Sequence, residues 1–176
     1  MKISKTPLLL LCFLIISQLS FSQTEAPKYK DVVVENPEAE ADMKVVSDYV
    51  KALVNNKMME AEKLLSEKYM GYGPAVNDSI SKQQTIATWK EAHKMRTNEK
   101  VGFVTQTFRV LQGELAGDWV SHWGTYSFTQ NGKNIELPYQ LTALVTDGKI
   151  VRSTIYFDNL AVIEALGYQI TPPKQE

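Results

Sequence analysis

Two dipeptides, Asn131-Gly132 and Asp147-Gly148, do most to limit how this chain can fold. Both central positions of a tight hairpin turn need positive φ, which Asn, Asp and Gly tolerate. Around them run Val101–Leu111, Asp118–Gln130, Ile135–Thr146 and Lys149–Asp158, rich in Val, Thr, Tyr, Phe and Trp. Strands joined by such short turns are antiparallel neighbours, so the second half predicts a consecutive meander. Alternation places Val120, His122, Gly124, Tyr126 and Phe128 on one face of its second strand, and Trp119, Ser121 and Trp123 on the other.

The first half has a different period. Met43, Val46, Tyr49, Val50, Leu53 and Val54 recur at three- and four-residue spacing, which predicts a helix broken at Asn55-Asn56. Met58, Ala61, Leu64 and Leu65 continue a second helical stripe to about Glu67, and Gly71, Gly73, Pro74, Asn77 and Asp78 mark 70–80 as a loop. Ser81-Lys82-Gln83-Gln84 has the form of a capping box and opens a helix carrying Ile86, Trp89 and His93 on one face. Asn159–Leu166 is a short closing helix stopped by Gly167. Helices followed by a meander make an α+β fold, with helices covering one face of a curved sheet.

Residues 1–22 read as a secretory signal: Lys2 and Lys5, the apolar run Leu8–Ile16, then Ser20 and Ser22 before a cut at Gln23. The apolar run is shorter than the roughly 20 residues that span a bilayer, so no membrane attachment is expected after cleavage. The protein is therefore expected to be exported, to the periplasm or outside. Residues 23–38, with Pro27 and Pro37, read as a linker that could hold a brief strand at Val32-Val33-Val34, and 171–176 as a frayed tail. The domain is expected at 39–170.

Cleavage removes Cys12, the only cysteine, and with it any disulfide, thiolate nucleophile or Cys-ligated zinc. Nineteen basic against twenty acidic residues argue against a partner bound through nucleic-acid phosphates. His93 and His122 lie far apart with no carboxylate at metal-ligand spacing, and there is no Gly-x-Ser-x-Gly elbow and no Gly-rich phosphate loop. No metal or cofactor is implied.

Three segments carry a resemblance. Tyr49-Val50-Lys51-Ala52-Leu53-Val54-Asn55-Asn56 with the following helix, Asp147-Gly148-Lys149-Ile150-Val151 leading to Tyr156-Phe157-Asp158, and Ala161–Gly167 resemble the SnoaL-like branch of the nuclear transport factor 2 (NTF2-like) superfamily over about 43–170. The resemblance implies a cone: a strongly bent sheet wrapped by helices around a cavity, with frequent dimers through the outer sheet face. Members include ketosteroid isomerase, scytalone dehydratase, polyketide cyclases and limonene-epoxide hydrolase beside non-catalytic binding modules, so fold leaves function open. Epoxide-hydrolase-like members carry Trp-Arg-Asp where this chain has Ser153, Thr154 and Ile155, which removes the water-activating acid of that branch.

Asp158, at the end of the last strand beside an expected apolar cavity, is a candidate general acid or base, and equally a helix N-cap. His122 is a candidate proton shuttle or carbonyl-orienting group, and equally a hydrogen-bonded structural histidine. Trp89, His93, Tyr126, Tyr139 and Tyr49 are candidate ligand contacts, since flat side chains with a polar edge suit an apolar cavity but suit a core as well. Trp119 and Trp123 share the face opposite His122 and are candidates for a dimer surface. The leading expectation is a domain that binds a small apolar or ring-containing molecule. The alternatives are a proton-transfer enzyme using Asp158 and His122, and an interaction module docking through the outer sheet.

Overall fold

Asn131 and Asp147 take φ of 51° and 50°, and Gly132 and Gly148 take 73° and 67°, as the two hairpin turns require. The computed structural model describes residues 27–169 and 171; the signal segment, the first residues of the linker and most of the tail lie outside them. The turns join β5 (Gly117–Gln130) to β6 (Lys133–Thr146) and β6 to β7 (Lys149–Phe157), while β4 (Thr97–Val110) pairs antiparallel with β5. The meander is thus formed as expected.

Ahead of it come α1 (Tyr29–Val32), β1 (Val33–Val34), α2 (Ala39–Val54), α3 (Met58–Leu64), β2 (Leu65–Tyr72), β3 (Ser79–Ser81) and α4 (Lys82–Met95). Helix α5 (Asn159–Ala165) closes the described fold. The seven strands form one sheet in the order β1-β4-β5-β6-β7-β2-β3, antiparallel except where β2 runs parallel to β7. This is an α+β architecture.

Strand β2 corrects the helix expected to run to Glu67 and the loop expected from residue 70. Leu65, Tyr69 and Gly71 face inward, and Gly71 pairs with Ser153 of β7. The Tyr69 hydroxyl lies 2.7 Å from Ser153 Oγ. Pairing with a strand some eighty residues later overrides the local helical pattern, which is a tertiary effect that no local window carries. The loop is confined to the residues between β2 and β3.

The segment read as a linker joins the sheet from Val33, which pairs with Val110, while Val34 pairs with Arg109. Asn36, 2% exposed, fixes it in place. Its Nδ2 donates to Asp42 Oδ2 at 2.9 Å and Thr107 Oγ1 at 2.8 Å, and its Oδ1 accepts the Glu38 amide. Each hydrogen-bonding group of the amide is used, so the buried residue carries no desolvation penalty left unmet. The fold's edge therefore begins ahead of residue 39.

Helix α2 lies across the concave side of the sheet. Its Val46, Tyr49, Val50 and Leu53 pack with Val120, Leu141, Ala143, Val145 and Ile150 into one core, joined by Leu65 and Tyr69 of β2. Burying each such aliphatic side chain contributes about 1.5–3 kcal/mol. Helix α4 opens with the full capping box: Ser81 Oγ accepts the Gln84 amide, and Gln84 reaches back to the Ser81 amide at 2.8 Å. The face of β5 that carries His122 is the enclosed one.

Gly124 lets β4 pack closely on β5. A Cβ at this position would lie 2.8 Å from both Cα and Cβ of Phe103 and closer still to the Gly102 carbonyl, so only glycine lets β4 approach there. Gly124→Ala is expected to destabilise the protein by about 1–3 kcal/mol through overpacking against β4. Urea denaturation would show it, and an unchanged midpoint would contradict this close approach.

Candidate functional site

His122 stands on β5 between Thr105 of β4 and Leu141 of β6 and is 0% exposed. Above it, Ser47 of α2 brings Oγ to 3.4 Å from Nε2. To the side, the Phe103 ring lies 4.3 Å from the imidazole, centroid to centroid, at 31°. The other ring nitrogen, Nδ1, is buried with no hydrogen-bond partner among the described residues. Two positions along the same face, Gly124 pairs with Tyr139, whose hydroxyl is also buried and without a partner among those residues. His122 and Tyr139 are thus diagonal neighbours on the concave face, each with an unmatched polar atom.

Such atoms are costly unless something meets them, on the order of 1–3 kcal/mol each. Burial, followed by the Lys51 ammonium, lowers the His122 pKa from 6.5 to about 4. Burial also raises the Tyr139 hydroxyl to about 12. Both groups are therefore neutral near pH 7. Tyr139 can donate to a carbonyl, and His122 Nδ1 donates or accepts according to the direction of the Ser47 hydrogen bond.

The proton-transfer alternative would bring His122 and Asp158 together in one pocket, and the sheet register sets them apart. Leu141 pairs with both His122 and Ile155, so Asp158 lies two strands away and three residues further along. It is exposed, and its Oδ1 accepts the Ala161 amide at 2.9 Å as the N-cap of α5. Ile155 is part-buried against the core, so the position at which an acid marks the epoxide-hydrolase branch is apolar here.

His93, Tyr126 and Tyr49, expected as ligand contacts, have their polar ends taken by the protein. His93 Nε2 donates to the Leu53 carbonyl at 2.8 Å, beside the Asn56 amide that also bonds it at the end of α2, and Nδ1 lies 2.5 Å from Glu99 Oε1. Tyr126 donates to the other Glu99 oxygen, and the Arg96 guanidinium lies 4.3 Å from the centroid of the Phe128 ring. Glu99 is the residue missed by sequence reasoning. It sits six residues beyond His93, across the break between α4 and β4, where no periodicity links them. Tyr49 is 3% exposed and lies beside Tyr69, deep in the core.

Trp89 packs edge-on against Tyr126 at 5.7 Å and touches both core clusters, as does Tyr139. Two open clefts lie outside the cone and are lined by none of the expected residues. One, of about 680 Å³, is bounded by Met59, Leu65 and Lys82 and mixes lysines with Glu62 and Glu67; the other, of about 630 Å³, is formed by residues 35–41.

The neutral His122 has a measurable consequence. The unfolded chain takes up its proton near pH 6.5, whereas the folded protein holds it off until about 4. The stability contributed is complete above pH 6.5 and is lost as pH falls towards 4, amounting to about 2 kcal/mol between pH 7 and pH 5. Urea denaturation at the two pH values measures the loss, and His122→Gln should remove that share of it. A substituted protein with the wild-type pH slope would contradict the burial of a neutral imidazole.

No family model and no curated protein matches this chain in sequence. Solved structures match it in shape. A Catenulispora acidiphila protein of ketosteroid isomerase-like fold, solved with trimethylamine, aligns with a TM-score of 0.59 at 16% identity, covering 73% of this chain and 98% of that one. An NTF2-like protein from Burkholderia xenovorans aligns at 0.55 and 17% identity, over 73% and 98% of the two chains. An LEH-like epoxide hydrolase from M. tuberculosis aligns at 0.52 and 18%, over 74% and 92%. With the curved sheet and the helix in its hollow, these likenesses show that the chain has the NTF2-like cone fold, as its sequence resemblance implied.

Proposed function

We propose that this is an exported domain that binds a small, mostly apolar molecule inside the cone. The observation that carries the reading is the pair of buried, unmatched polar atoms, His122 Nδ1 and the Tyr139 hydroxyl, on one concave face. Around them, Phe103, Leu141 and Ile155 offer apolar surface. A carbonyl or hydroxyl on an otherwise apolar ligand would satisfy both groups, and leaving them unmet penalises ligands that lack one. Phe103, stacked on His122 and only part-buried, is the side chain such a ligand would displace.

Proton transfer is the weaker reading. His122 with a pKa near 4 is a poor base at neutral pH. Asp158 is committed to its helix and Glu99 to His93 and Tyr126. Binding needs neither.

The test uses 2-acetonaphthone, an uncharged ring ketone, followed by calorimetry. His122→Phe and Tyr139→Phe each keep a ring in place, the first removing both ring nitrogens and the second the hydroxyl, so each should weaken binding about threefold to tenfold. No binding by the native protein, or binding untouched by both substitutions, would contradict the reading.

A second observation favours association through the convex face. Val104, Trp123, Gln140 and Tyr156 line up across β4, β5, β6 and β7, with Val104 69%, Trp123 43% and Tyr156 56% exposed. Such a row is the kind of surface that a second copy covers. Trp119, its expected companion, is 7% exposed, and its indole N–H donates to the Leu115 carbonyl at 2.8 Å. We propose a homodimer through the Trp123 row. Sedimentation should give a dimer that Trp123→Ser weakens, and a monomer at all concentrations would contradict it.

A further inference from the structure

Ser47 and Lys51 lie one turn apart on α2 and reach the same spot in the cone from different depths. Ser47 touches His122 Nε2, while Lys51 Nζ lies 5.7 Å from the centroid of the Phe103 ring, the ring that stacks on His122. Ammonium, phenyl ring and imidazole therefore follow one another from the exposed rim inward. Lys51 itself is exposed and forms no ion pair among the described residues.

Four carboxylates on α2, β4 and β5 are already engaged. Asp48 pairs with Lys44, Asp42 accepts from Asn36, Glu99 is held by His93 and Tyr126, and Asp118 takes a bidentate pair from Arg109 at 2.5 and 2.6 Å. The rim above His122 thus carries a cation with no ion-pair partner among the described residues. That positive charge is felt at the imidazole, where it adds to burial in disfavouring protonation. A site of this charge favours an anion and disfavours a ligand amine.

We propose that the ligand is an amphiphilic carboxylic acid, its carboxylate paired with Lys51 at the rim and its apolar body passing Phe103 towards His122 and Tyr139. This rests on the reading that the cone interior binds a small molecule. Lysine suits the role because its long stem can follow the ligand while the ammonium stays wet. The apolar body supplies most of the affinity, and the ion pair selects acids over neutral molecules of the same shape.

The test compares 2-naphthoate with 2-acetonaphthone, which share a ring system and differ in charge, on the purified protein at neutral pH. Lys51→Gln should weaken naphthoate about fivefold and leave the ketone unchanged. Lys51→Arg should keep naphthoate binding, and raising the salt concentration should weaken the acid alone. Ketone binding without naphthoate binding, or naphthoate binding indifferent to Lys51→Gln, would overturn the choice of an acid while leaving the interior site standing. Failure of both probes to bind would overturn the interior site and this inference together. Lys51 is an exposed helix position, so its substitution leaves folding intact.

Discussion

Helix α2 has to bury one apolar stripe, and the hollow of the sheet is where it does so. Val46, Tyr49, Val50 and Leu53 fill that hollow against the inward residues of β5, β6 and β7, and the sheet must curve to receive them. Gly124 lets β4 close on β5 beside that hollow. Both ends of α2 are then tied down, by the Asn36 amide at its start and by His93 on the Leu53 carbonyl at its end. The same placement sets Ser47 over His122 and Lys51 over Phe103. What the cone can bind is therefore a by-product of how α2 is seated.

The fold was legible where local chemistry decides structure. Asn-Gly and Asp-Gly turns, the Ser81–Gln84 capping box and the α2 stripe each need only neighbouring residues, and each formed as read. Strand β2 was not legible, because its partner lies at the far end of the chain and its own residues carry helical spacing. The linker had the composition of a loop, yet two valines and one asparagine suffice to attach it to β4. In both cases a long-range pairing outweighs local preference.

The site was legible in part, for a related reason. Alternation along β5 put His122 and Gly124 on one face, alternation along β6 put Tyr139 with Leu141, and the packing of α2 shows that face to be the enclosed one. Orientation is a local property. Whether a polar end is free or taken is not. Tyr49, Tyr126 and His93 looked as available as Tyr139 until their partners Tyr69, Glu99 and the Leu53 carbonyl were in place. Asp158 carried two readings at once, and its Oδ1 makes the cap through a three-residue reach to the Ala161 amide.

The account turns on one imidazole being buried, neutral and open at Nδ1. Nitrogen-detected NMR of the His122 ring through a pH titration tests this most directly, since it reports protonation and tautomer at that residue. The account predicts a ring that stays neutral through pH 5 and takes its second proton near 4. Its nitrogen shifts should also move when 2-acetonaphthone binds. A ring that titrates near 6.5, as in an unfolded chain, and ignores the ketone would contradict it.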